Sequence, residues 1–108
     1  MELSQYFISL LRKGPAYTTQ MTPELEDLQA RHVAHTQRLM ETGAAIAAGP
    51  VNDESDIRGF TIFRTATLAE AQALAEADPG VQAGRFVVEL HRWLTLSGRL
   101  PAPTTEAE

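Results

Sequence analysis

Two segments that read as strands carry apolar residues on both faces, one near each end of the chain. Gln5 to Leu11 reads QYFISLL, with Tyr6, Ile8 and Leu10 on one side and Phe7 and Leu11 on the other. Arg85 to Leu96 reads RFVVELHRWLTL, in which Phe86, Val88, Leu90 and Leu94 alternate with Val87, Glu89, His91 and Trp93. An exposed edge shows apolar residues on one face, whereas apolar residues on both faces place a strand inside a sheet that is covered on both sides. With 108 residues the chain has room for one core. The fold is therefore limited to one domain whose first strand is central.

The segments between supply the rest. Gly14-Pro15 turns the chain. Thr22 then caps a helix that has Pro23 at its first position and Glu24, Glu26 and Asp27 at its positive end, and Gly43 is placed to end it in the left-handed conformation. At about 100° per residue Leu25, Leu28, His32, Leu39 and Gly43 share one stripe, with Thr36 beside it. The alanine-rich run Ala44 to Ala48, held between Gly43 and Gly49-Pro50, reads as a short buried strand, and Gly59 to Thr65 returns beside it after the polar loop Val51 to Arg58. Thr67 and Glu70 form a capping box, and the second helix buries Leu68, Ala71 and Ala75 before ending at Asp78, ahead of Pro79.

The order β, α, β, β, α, β predicts an α+β, ferredoxin-like βαββαβ domain with a four-stranded antiparallel sheet and both helices on one face. The other face of the sheet then needs cover, which predicts a homodimer through the open sheet face. Residues 1–99 are assigned to the domain. The Pro-, Thr-, Ala- and Glu-rich residues 100–108 are assigned to a disordered tail.

Composition narrows the function. There is no cysteine, which removes disulfides, thiolate nucleophiles and cysteine zinc sites, and the charge of −5 with scattered Arg and Lys argues against nucleic acid. No apolar run reaches the length of a membrane span, so a cytoplasmic protein is expected, without a membrane partner. No phosphate-binding glycine fingerprint occurs, and no cofactor is expected.

His32 stands out because it occupies the apolar stripe of the first helix. A buried imidazole needs a partner, since an unpaired polar group costs roughly 1–3 kcal/mol. Asp78, in phase with the buried face of the neighbouring helix, is the candidate. A carboxylate accepting from one ring nitrogen fixes the tautomer and leaves the other as a general acid or base. The same pattern also fits a core histidine beside a turn aspartate. His32 and His35 at i and i+3 are a weak metal spacing, and no metal is expected. Gly49 and Pro50 are candidate substrate-binding residues because glycine admits a ligand close to the backbone. Tyr17 and Arg58 are further candidates, Arg58 as an attractor of anions. Trp93 reads as core or interface.

His32, Ala48-Gly49-Pro50, Gly59-Phe60-Thr61 and Ala77-Asp78-Pro79 with Ala83-Gly84 together resemble the YciI-like (YCII-related) family, from the first strand to Trp93. The resemblance implies a ferredoxin-like dimer with stacked sheets, that is, a dimeric α+β barrel-like assembly. It also implies an active site on a His/Asp pair corresponding to His32 and Asp78, beside the AGP turn. One branch of the family carries out dehydrochlorination of a chlorinated aromatic diol. This chain departs from the family in having Gly80 where an aromatic residue usually follows Asp-Pro, which removes an expected pocket wall. The function expected is a small cofactor-independent enzyme using the dyad on a small aromatic or carboxylate substrate, by elimination, isomerisation or hydrolysis. The alternative is a small-ligand-binding or interaction module in which the pair is structural.

Overall fold

The computed structural model describes residues 1–104. Seven elements follow one another: β1 (Leu3–Lys13), α1 (Pro23–Glu41), β2 (Ala45–Pro50), β3 (Ile57–Phe63), α2 (Leu68–Glu76), α3 (Pro79–Gln82) and β4 (Phe86–Leu96). The strands form one antiparallel sheet in the order β2-β3-β1-β4, the ferredoxin-like arrangement. β1, apolar on both sides, is central as expected. It pairs along its whole length with β4, from Leu3 opposite Leu96 to Lys13 opposite Phe86, and with β3 on the other side.

The helix ends form as their residues dictate. The Thr22 hydroxyl accepts from the Leu25 N–H, and the Thr67 hydroxyl from the Glu70 N–H. Gly43 follows α1 at φ +80°, a conformation that L side chains rarely adopt. Phe7 and Phe63, opposite each other in the sheet, meet Leu39 of α1 and Ala71 and Ala75 of α2 to form the core. The alanines let α2 lie close to the sheet, whereas Leu68, expected inside, is half-exposed at the start of the helix.

The sheet is open. β2 and β4 are its two edges and do not pair with each other. The expected dimeric α+β barrel-like assembly is therefore corrected to an open four-stranded sheet layered against helices. A barrel needs its hydrogen-bond ladder to continue from one edge to the other, and here the six residues of β2 end in Pro50, which has no N–H to donate.

On the face away from the helices lie Tyr6, paired with Trp93, and a charged cluster in which Glu89 bonds both Arg12 and His91. The chain beyond β4 crosses towards Tyr6, whose hydroxyl donates to the Pro101 carbonyl at 2.7 Å, and Arg64 Nε donates to Ala102 O at 2.5 Å. Of the tail expected at 100–108, residues 105–108 lie outside the described residues.

Candidate active site

His32 sits midway along α1 and Asp78 in the turn between α2 and α3. α2 stops at Glu76, two residues earlier than the sequence pattern suggests, because Pro79 starts a new helical turn and Asp78 becomes its N-cap. One carboxylate oxygen of Asp78 accepts from the Gly80 N–H at 2.8 Å, and the other accepts from His32 Nδ1–H at 2.6 Å. Asp78 is buried, with 6% of its side chain exposed, while His32 keeps 26%. The capping bond fixes the carboxylate, the carboxylate fixes the ring, and Nε2 is the ring nitrogen outside this chain of bonds.

The His32 ring forms a wall shared by two cavities. The larger, about 630 Å³, lies between α1 and the β2–β3 half of the sheet, floored by Ser9 and Leu11 and edged by Gly49, Pro50 and Arg58. The smaller, about 340 Å³, is lined by Tyr17, Leu28, Arg58, Arg85 and Phe86. His32, Val33, Pro50 and Arg58 belong to both, so the two form one cleft with the imidazole at its waist.

Each residue singled out in the sequence has a definite place. Gly49 and Pro50 line the larger cavity, and a Cβ on Gly49 would meet nothing within 4 Å, so no protein contact requires glycine there. Tyr17 lines the smaller cavity, 6.4 Å from the Phe86 ring. Arg58 borders both, but its guanidinium is largely engaged by its own loop: Nε donates to Ile57 O, and Nη2 to the carbonyls of Asp53 and Ser55. The loop is further tied by the Asp53 carboxylate, which accepts from Ser55. That bond, aided by Arg58, holds the carboxyl below its usual range.

His35, three residues on from His32, is buried, and its Nε2–H donates to Leu74 O at 2.8 Å. It ties α1 to α2, and its ring does not share a partner with His32. Among the described residues, no group of three or more His, Asp or Glu side chains converges on one point.

The pocket wall expected to be missing at Gly80 is filled from elsewhere. A Cβ on Gly80 would come within 2.8 Å of the Phe86 ring, which packs 5.3 Å from the His32 ring. Glycine at 80 thus lets Phe86 reach the dyad. Sequence reasoning missed Arg85, which is buried beside the site. The available signal was an arginine placed between a turn glycine and a strand residue of the inner face, where an apolar residue is the ordinary choice.

A sequence search finds no match among curated proteins. Among solved structures, 5-chloro-2-hydroxyhydroquinone dehydrochlorinase from Burkholderia phenoliruptrix, in complex with 2,5-dihydroxybenzoquinone, is similar in fold. Its TM-score is 0.51 and its identity 23%, over 81% of this chain and 92% of that one. The sequence itself matches the YCII-related domain over residues 7–94, a span that contains the helices, β2, β3, most of β1 and β4, His32 and Asp78. With most of the chain covered and the paired histidine and aspartate in place, the protein belongs to the YCII-related family.

Proposed function

We propose that the chain is a small general acid/base enzyme in which His32, oriented by Asp78, moves a proton on a small substrate held in the cleft. The observation that supports this most is the 2.6 Å bond from His32 Nδ1 to a buried carboxylate, in a ring that also borders both cavities. Because Asp78 accepts from Nδ1–H, Nε2 is the basic nitrogen. It takes a proton from the substrate, and the imidazolium so formed is stabilised by the carboxylate against it. In an elimination the C–H electron pair becomes the new double bond as the leaving group departs with its own pair, and Nε2 passes the proton to that group or to solvent. In an isomerisation Nε2 returns the proton to a neighbouring carbon. In a hydrolysis Nε2 instead takes the proton from a water that adds to the substrate and gives it to the departing group. Elimination is the first to test, since the fold neighbour is named a dehydrochlorinase. In this reading Gly49 and Pro50 edge the substrate side of the cleft, and Tyr17 and Arg58 border its second chamber.

The test is a pair of substitutions assayed with 5-chloro-2-hydroxyhydroquinone and related halogenated phenols. His32→Ala and Asp78→Asn are expected to lower kcat by about 10²-fold or more while circular dichroism shows a folded chain. Ring ¹⁵N shifts of wild-type His32 should report the Nδ1–H tautomer. Turnover unchanged in both variants, with a lowered Tm, assigns the pair to packing and ends the enzymatic reading.

A further inference from the structure

Arg85 is 7% exposed, and no carboxylate of the described residues forms an ion pair with it. Nη1 donates to Thr18 O at 2.6 Å, while Nε is shut off from solvent with no hydrogen-bond partner among the described residues. A buried guanidinium is normally paired, because removing its charge from water is costly and each orphaned N–H adds to the cost. What surrounds this one is aromatic: Tyr17 lies 4.6 Å and Phe86 5.3 Å from Cζ. Ring faces hold a cation in place but leave the in-plane N–H fork unused.

The main chain at Arg85 is fixed to the loop between β1 and α1. Gly14 N–H donates to Arg85 O, and Ala16 N–H donates to Gly84 O, so the loop carrying Tyr17 and Thr18 is pinned against it. Arg85 also lines the smaller cavity, the same chamber that His32 borders. Both groups pack on one ring, the guanidinium 5.3 Å and the imidazole 5.3 Å from the Phe86 centroid. Their separation is thus at most twice that distance, within the span of one small molecule.

We infer that Arg85 is the carboxylate anchor of this site, and that the ligand is a small monocarboxylate whose apolar body lies along Phe86 towards His32. The carboxylate supplies the missing counterion and accepts charge-assisted hydrogen bonds from the guanidinium where Arg85 lines the smaller cavity. Leu28, Val33 and Phe86 accept a hydrocarbon body, and the other cation of the chamber is Arg58. Arg58 serves less well as the anchor because its own loop carbonyls already take its Nε and Nη2. Placement of the reacting carbon at His32 rests on the general-base reading. Carboxylate capture by Arg85 does not.

The experiment titrates the full chain with acetate and benzoate, and with acetamide and benzamide as uncharged partners of the same shape, by ¹H–¹⁵N NMR including the Arg85 Nε–H resonance. The carboxylates are expected to bind at least tenfold more tightly than the amides and to shift that resonance. Arg85→Met, which keeps the aliphatic bulk, is expected to remove the preference while leaving amide binding unchanged. His32→Ala is expected to keep the preference, so loss of turnover in that variant tests the dyad and not the anchor. Equal binding of acids and amides by the wild-type chain overturns the inference without any variant. So does a preference that survives Arg85→Met, or the absence of carboxylate binding up to the solubility limit.

Discussion

Asp78 spends one carboxylate oxygen on the Gly80 N–H and the other on His32, so its removal is felt twice. Asp78→Ala leaves a buried N–H and an imidazole without partners, and is expected to lower stability by about 2–4 kcal/mol in urea unfolding, more than His32→Ala. Gly80 is the second sensitive position. Gly80→Ala drives a methyl into the Phe86 ring, and is expected to cost about 1–3 kcal/mol and to reduce activity by displacing the ring that packs on His32. A double variant Gly80→Ala/Phe86→Leu should recover part of the Tm but not the activity. His32 and Asp78 were legible in the sequence because a histidine on an apolar stripe and an aspartate in phase with a buried face both ask for partners. Arg85 was not, because its burial comes from Tyr17 and Thr18, residues far from it in the chain that a turn brings back.

At the level of elements, α1 shows what periodicity does and does not resolve. Leu25 and Leu39 are buried as the stripe predicts, but so is His35, and His32 turns partly outward into the cleft. Residues three and four apart share a helix face, so the pattern gives the stripe and the neighbouring helix decides its centre. Here that neighbour is α2, whose Leu74 carbonyl receives the His35 N–H. His35→Leu should keep the packing but orphan that carbonyl, with a loss of about 1–3 kcal/mol by thermal or urea unfolding.

The β1–β4 pair carries its own pH dependence. The Arg12 hydrogen bond, followed by that of His91, holds the Glu89 carboxyl below its ordinary value of 4.5. A carboxyl lowered in the folded chain binds protons more readily when unfolded. Its stabilising effect is therefore present above about that value and is lost as pH falls through the lower folded one. Glu89→Gln should make the acid limb of the stability curve shallower, as measured by Tm against pH, with high salt reducing the difference.

For the whole molecule, the open sheet raises the question of what covers its second face. Within the chain, residues beyond β4 do part of this, since the Pro101 carbonyl receives the Tyr6 hydroxyl and Tyr6 is only 1% exposed. Truncation after Arg99 is expected to uncover Tyr6 and lower stability by about 1 kcal/mol or more. A second copy over that face is the other source of cover that we propose. Equilibrium sedimentation of the full chain and of the truncation measures it, a monomer mass for both rejecting the homodimer.

The sequence by itself determined the order of the four strands and of the two longer helices, the N-caps of those helices, the central place of β1 and the candidate pairing of His32 with Asp78. All of these follow from local periodicity, from turn chemistry and from the need of a polar group on an apolar face for a partner. Only the tertiary structure decided that the sheet stays open, that Phe86 fills the space left by Gly80, and that Arg85 is buried unpaired beside the dyad. Those depend on where separate elements come to rest against one another, and no residue's own pattern carries that distance.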